Sequence, residues 1–443
     1  MRMINMTQKF RLSHMRSGLY GLFVLMLCLS LSAIALTYPG TSHAADDKNE
    51  KSKAPLISKK VYDRLTIAQE YVNKQQYNEA IGILDDIKES RRLNSTEVAQ
   101  LWNFYAYIYF SQDRYKEAIS AYSTLLEQPN LQLGIQTSTL YTLSQLYFLT
   151  ENYRKALEKI EQWMALSEAP SPDAYALLGQ AHYKLEQFKE AIPALSKAIE
   201  LRKAEAKPVK ENWYLLLRAV HYELKDYKSM ANVLKELITL YPKEQYFRDL
   251  AGAYSQLGDT RKQLGVMETM YDKGFLTKES QLKNLATLFL MHEVPYKAAK
   301  VLQKAIDDGI LQQNEKNLTL LSQAWVQARE DKQAIEPLKA AARISSEGEP
   351  WIKLGRAYVN LDQWPEAVQS LKTGLQKPGV KREDAAYILL GMGYYNLKQL
   401  EQARNAFTRA AGVSDSDRNK KAATQWIAYL ESEIERETAL AQK

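Results

Sequence analysis

The chain has 443 residues, 46% hydrophobic and 25% charged, an ordinary globular composition whose single cysteine excludes an intramolecular disulfide and a cysteine-based zinc site. Its 18 glycines and 13 prolines are few for this length and argue against an all-β chain rich in tight turns. The formal charge of +7, from 59 Lys and Arg against 52 Asp and Glu, raises a nucleic-acid or acidic-membrane partner that only the placement of those charges can decide.

The first segment, 1–44, reads as an export signal. Arg2, Lys9, Arg11 and Arg16 form a basic region without an acid, Leu19 to Leu36 is an uncharged apolar run, and Pro39 and Gly40 precede Ser42 and Ala44 at the −3 and −1 positions. Cleavage is expected after Ala44. The alternative is an uncleaved inner-membrane anchor, since the run approaches the roughly 20 residues a membrane span needs. Both place everything after Ala45 on the exported side. Leu27 before Cys28 is not the small residue a lipoprotein signal needs, so no lipid anchor is expected. Removing the four basic residues of 1–44 leaves 55 Lys and Arg against 52 Asp and Glu, a net of +3. The mature chain is then nearly neutral and free of cysteine, with no nucleic-acid partner and no stable membrane insertion expected. Residues 45–60 are charged, contain Pro55 and read as a flexible leader.

From Val61 the chain is helical and periodic. YNEAIGIL at 77, YKEAISAY at 115, YRKALEKI at 153, FKEAIPAL at 188, WPEAVQSL at 364 and LEQARNAF at 400 share an alanine at one offset. With weaker copies the position recurs at Ala80, Ala118, Ala156, Ala191, Met230, Gln263, Ala298, Ala334, Ala367 and Ala403, a mean spacing of about 36 residues. Twelve residues earlier lies a second small position: Ala68, Ala106, Ser144, Gly179, Arg218, Ala251, Ala286, Ser322, Gly355 and Gly391. Three beyond that is a ring: Tyr71, Tyr109, Tyr147, His182, His221, Tyr254, Phe289, Trp325, Tyr358 and Tyr394. Four after the alanine marker every copy has a large apolar residue, from Leu84 to Phe407. Apolar residues three and four apart give each helix one buried stripe, and small residues let paired helices approach closely. A lone pair cannot bury its stripe, so copies must stack.

This pattern resembles the tetratricopeptide repeat, with its W-x2-L-G-x2-Y, A-x3-F and P signature. YALLGQAHYKLEQFKEAIPALSKAIEL at 175–201 and WIKLGRAYVNLDQWPEAVQSL at 351–371 carry it most fully, and Pro242 supplies the terminal proline in repeat 5. The resemblance implies an all-α superhelical solenoid of about ten helix-turn-helix repeats over 61–417. Residues 418–443, with Trp426, Leu430 and Ile434 on one face, read as a capping helix. Copies 5 and 6 depart from the pattern through Arg218, Met230, Gln263, Gly252, Gly258 and Gly265. Either they have drifted, with Arg218 snorkelling to water, or 205–278 is a hinge between two arms.

No catalytic, cofactor or metal residue is expected. The mature chain keeps three histidines, of which His182 and His221 occupy the ring position, and it contains no phosphate loop, GxSxG elbow or HExxH pair. What remains is a binding surface. In tetratricopeptide proteins the first, or A, helices line a concave groove through the second, fifth, ninth, twelfth and thirteenth residues of each repeat. The resemblance places there Gln69, Asn73, Asn103, Tyr107, Phe110, Tyr141, Gln145, Phe148, Gln180, Tyr183, Tyr222, Gln323, Arg356, Asn360, Tyr395 and Asn396, with Gln100, Asn212, Gln245, Gln256 and Gln327 at the same offsets. Amides pair with the donors and acceptors of an extended backbone and rings supply area at low entropy cost, which suits a protein or peptide partner. A solvated face without a ligand is the alternative. No copy has Asn at the ninth position, so the carboxylate clamp of cochaperone members is not expected.

The block LNSTEVAQLWNFYAYIYFSQDRYKEAISAYSTLLEQPNL with STLYTLSQLYFLTENYRKALEKI, within 93–160, resembles exported tetratricopeptide proteins of marine gammaproteobacteria that accompany TonB, ExbB and ExbD. That resemblance implies a periplasmic scaffold assisting energy-dependent outer-membrane uptake of iron chelates or haem. The alternative is a scaffold for outer-membrane or peptidoglycan assembly.

Overall fold

A computed structural model of the chain describes residues 57–90 and 92–441. The expected export signal and residues 45–56 of the leader lie outside them. Among the described residues there are 21 α-helices and no strand, arranged as ten consecutive pairs and one last helix. The first five pairs are α1 (Lys59–Asn73) with α2 (Tyr77–Lys88), α3 (Ser95–Ser111) with α4 (Tyr115–Leu126), α5 (Leu133–Leu149) with α6 (Tyr153–Leu166), α7 (Pro172–Lys184) with α8 (Phe188–Ala204), and α9 (Glu211–Glu223) with α10 (Tyr227–Leu240). The rest are α11 (Glu244–Gln256) with α12 (Thr260–Asp272), α13 (Glu279–Met291) with α14 (Pro295–Asp307), α15 (Glu315–Gln327) with α16 (Asp331–Ile344), α17 (Glu349–Asn360) with α18 (Trp364–Leu375), and α19 (Glu383–Asn396) with α20 (Leu400–Val413), before the final α21 (Asp417–Ala441). Each helix packs on the next along the chain. The all-α solenoid of about ten helix-turn-helix repeats, closed by a C-terminal helix, is therefore the architecture of this chain.

The two helices of every repeat are joined by one turn. Ten residues at the same offset, Gln75, Asp113, Glu151, Glu186, Lys225, Gly258, Glu293, Arg329, Asp362 and Lys398, have positive φ. The amide of the following residue reaches back to the carbonyl of the ring residue in all ten copies, as in Gln76 N to Tyr71 O at 2.9 Å and Gln399 N to Tyr394 O at 2.9 Å. This is a Schellman cap, which satisfies carbonyls that the helix end would leave open. An L-residue in the left-handed region costs on the order of 1 kcal/mol, so nine of these turns are strained and the tenth is relieved by glycine. Gly258, which stands out in the sequence as an irregularity, is the residue best suited to its place.

The marker offsets define how the helices of a pair meet. All ten alanine-marker positions are buried, including Met230 and Gln263, as are all ten large apolar residues four further on. In three repeats the second small position presses directly on that apolar residue. A Cβ added to Gly179, Gly355 or Gly391 would lie 2.6, 2.6 and 2.8 Å from Leu195, Leu371 and Phe407. Burying a side chain such as Phe407 stabilises the pair by about 2 kcal/mol, and glycine opposite it allows full contact.

Repeats are tied to one another by acids in the first turn of the A helix. Asp173 takes Lys210 just before α9 at 2.6 Å, and Glu211 takes Lys243 just before α11 at 2.7 Å. Glu279 accepts from Asn317 at 2.9 Å, Glu315 from Ser345 at 2.9 Å, Glu349 from the Lys381 amide at 3.1 Å, and Asp384 from Ser414 and Asn419 at 3.0 and 2.8 Å. Each carboxylate also faces the positive end of its own helix, which favours its charged form. Around repeats 5 and 6, Arg218 pairs with Asp249 of α11. In the same stretch α11 contributes Tyr246, Leu250 and Tyr254 to the core of the preceding repeats and Phe247 and Ala251 to that of the following ones.

Candidate functional site

At three junctions A helices of successive repeats touch one another on one side of the array, and at a fourth the last of them touches the final helix. The strongest contacts that skip a helix join A helices only, α1 with α3, α7 with α9 and α17 with α19, and continue from α19 to α21. At these junctions neighbouring A helices thus approach more closely than neighbouring B helices, and the A-helix side is the inner side there.

The sixteen expected residues lie on α1, α3, α5, α7, α9, α15, α17 and α19, and each is half-buried or exposed, none fully buried. Their surroundings differ. Phe110, Phe148 and Tyr183 are held across the turn by the first residue of the B helix, Tyr115, Tyr153 and Phe188, with ring centroids 5.8, 5.1 and 5.7 Å apart. Tyr222, one repeat on, is 58% exposed. Tyr141 packs on Trp163 of α6 at 5.2 Å, and burial, aided by the Asp173 charge, pushes its hydroxyl up to about 12. Burial, then Glu223, also raises Tyr183. Both phenols stay neutral donors at ordinary pH. Tyr395 rests against Trp426 and Tyr429 of α21, its hydroxyl 3.2 Å from that of Tyr429.

Among the amides, Gln69 donates to Asn73 at 2.9 Å, Asn360 to Asp331 at 3.0 Å and Asn396 to the Met392 carbonyl at 2.9 Å. The side chains of Asn103, Gln145, Gln180, Gln323 and Arg356 make no hydrogen bond or ion pair with another described residue. These five, with Tyr107 and Tyr222, are half-buried or exposed on the A helices, and their side chains hydrogen-bond to no described residue. Reading the sequence for amides and rings passed over Arg248, Lys283 and Lys316, which stand at the same offsets in the weaker copies. Applying the offsets to every repeat would have found them.

Among the described residues no group of three His, Cys, Asp or Glu gathers as a metal site, and no helix is long and apolar enough to cross a membrane. His182 bonds Gln187 across its turn at 2.8 Å, and His292 meets Thr260 at 3.0 Å.

Residues 65–130 and 384–417 match family models of the tetratricopeptide repeat, and residues 136–198 match that of subunit 3 of the anaphase-promoting complex, or cyclosome. Repeats 1, 2 and 10 are thus similar to tetratricopeptide repeats. No curated protein matches the chain. Among solved structures, the chain resembles MamA at 22% identity over 38% of this chain and 94% of that one, with a TM-score of 0.30. A tetratricopeptide repeat protein from Parabacteroides merdae is 18% identical over 60% and 99%, with a TM-score of 0.34. YrrB, a TPR protein with an unusual peptide-binding site, is 15% identical over 44% and 99%, with a TM-score of 0.35. Identities and scores this low say nothing of what this chain binds. The family repeat itself is a scaffold for binding proteins or peptides.

Proposed function

We propose that this chain is an exported, non-enzymatic scaffold whose A-helix face binds an extended segment of a partner polypeptide, and that it serves a TonB-type system for energy-dependent uptake of iron chelates or haem. The observation that carries the binding part is the set of uncommitted amides, Asn103, Gln145 and Gln180, on three successive A helices beside the half-buried rings Tyr107, Phe148 and Tyr183. Uncommitted amides in successive repeats can run along a peptide backbone, and rings between them hold its side chains. The assignment to a TonB-type system rests on the resemblance of residues within 93–160, and export to the periplasm rests on the signal read in 1–44.

Two experiments test this. A photo-crosslinking residue at Tyr107, incorporated in cells, should capture one or a few envelope proteins, TonB, ExbB or ExbD among them, and the same residue at exposed Lys189 on α8 should not. Equal capture at both places would remove the inner face as the binding site. A deletion strain should grow poorly on iron chelates or haem as sole iron source. Normal uptake together with a defective envelope would replace the transport role with one in outer-membrane or peptidoglycan assembly.

A further inference from the structure

The inner face changes its chemistry half-way along the array. At the second, fifth and ninth offsets, repeats 1–5 hold no Lys or Arg, and their one acid, Asp173, is engaged by Arg202 and Lys210 at 2.6 Å each. At the same offsets repeats 6–9 hold one cation apiece: Arg248, Lys283, Lys316 and Arg356. Their one acid, Glu349, is taken by the Lys381 amide at 3.1 Å. Repeat 10 returns to apolar residues, Ala385, Ile388 and Met392. Two of the four cations have partners on their own helix, Arg248 with Glu244 and Lys283 with Glu279 at 3.5 Å. Such exposed pairs are worth little and are readily exchanged for another carboxylate. Lys316 and Arg356 form no ion pair among the described residues.

We propose that repeats 6–9 bind an acidic stretch of extended polypeptide, one carboxylate to each repeat. The inference rests on the A-helix face being a polypeptide-binding surface and adds what lies on its second half. Charge complementarity selects the sign of the partner. The spacing selects its form: successive cations stand on successive A helices, each on the order of 10 Å across, and three residues of extended chain cover about 10 Å. An acid at every third position would therefore meet successive cations, whereas a compact cluster of acids would reach one or two. A row of like charges also speeds the encounter with an oppositely charged chain, which can then settle on the amides and rings of repeats 2–5.

The test uses the full exported chain and fluorescein-labelled peptides of about 12 residues, long enough to span four repeats. One carries Glu at every third position, a second has the same composition with its acids grouped, and a third has Gln in place of Glu. Fluorescence anisotropy should show the spaced acidic peptide binding about tenfold more tightly than either control, with the advantage shrinking as salt rises. The exposed double substitution Lys316→Gln/Arg356→Gln should abolish most of that advantage with an unchanged helical circular dichroism spectrum. Lys189→Gln, which removes an exposed charge on α8 away from the A-helix face, should leave it intact. Equal binding of all three peptides, or of the two acidic isomers, or an advantage that survives the Lys316/Arg356 variant, would overturn the proposal. Because the peptides are read directly, this result is separable from crosslinking at Tyr107, which probes the neutral half with the native partner.

Discussion

Repeat 5 and repeat 9 put opposite residues in the same slot. In repeat 9 the second small position is Gly355, and Leu371 fills the space a Cβ would need. In repeat 5 it is Arg218, whose guanidinium turns away to Asp249 of the next repeat. The first joint is closed by apolar contact within the repeat. The second still buries Met230 and Leu234, and charge joins it to the next repeat, in a stretch where Arg202 and Lys210 on Asp173, Lys203 on Glu236, and Lys243 on Glu211 add further ion pairs. One helical architecture thus tolerates two chemistries at a joint, provided the slot is either vacated by the side chain or emptied of it.

The largest effect should come from filling the glycine slot. Gly355→Leu places a Cβ 2.6 Å from Leu371 Cγ and 3.3 Å from the Ala367 carbonyl, and should destabilise by about 3 kcal/mol, seen in thermal melts and as faster hydrogen exchange in repeats 9 and 10. In repeat 5 the sensitive partner is Asp249. Asp249→Ala leaves a partly buried guanidinium unpaired and should cost about 2 kcal/mol. Arg218→Met on that background should recover most of the loss, and retention of the loss would show that the pair does not hold the joint.

Acid should separate repeat 5 from the C-terminal joint that follows repeat 9. Burial lowers the His221 pKa against the weaker opposing pull of Asp226, so the folded chain binds a proton less readily than the unfolded one. Repeat 5 is therefore most stable above the unfolded histidine value of about 6.5 and weakens as pH falls below it. Near the C-terminus, Arg382 foremost, with Asn419 and Ser414, holds the Asp384 carboxyl well below the carboxylate range. Its contribution is fully present above the unfolded value of about 4 and is lost as pH falls through the folded one. Hydrogen exchange against pH should open repeat 5 before the joint of α19, α20 and α21, and the reverse order would break the comparison. The smallest effect concerns the turns: Gly258→Ala should cost about 1 kcal/mol and Lys225→Gly should gain somewhat less, both read as shifts in melting temperature.

Much of the fold is legible without coordinates because helix pairing is a local problem. The alanine markers, the small slots and the large apolar residues recur at fixed offsets, and the structure buries the marker and large apolar residues in every copy. The ring position is less uniform: Tyr71 and Tyr394 stay half-buried, while His221 fills the site as a buried neutral group. The site was legible in part. Offsets placed Gln145 and Gln180 on an accessible face, but could not tell that Tyr395 would be shared with the last helix or that Phe110 and Phe148 would lean on Tyr115 and Tyr153. Those contacts depend on how a turn aims its flanking rings, which spacing does not contain.

The sequence by itself determined the repeat, its period and the helix pair within it, since each follows from 3.6-residue periodicity and side-chain size. Only the tertiary structure decided what the exceptions mean. Gly258 became the relaxed member of ten left-handed turns, and Arg218 became half of an ion pair to the next repeat. Acids in the first turns of the A helices became ties between neighbours. Backbone handedness and contacts some 30 residues away are not written at any single position, and they appear only when the repeats are stacked.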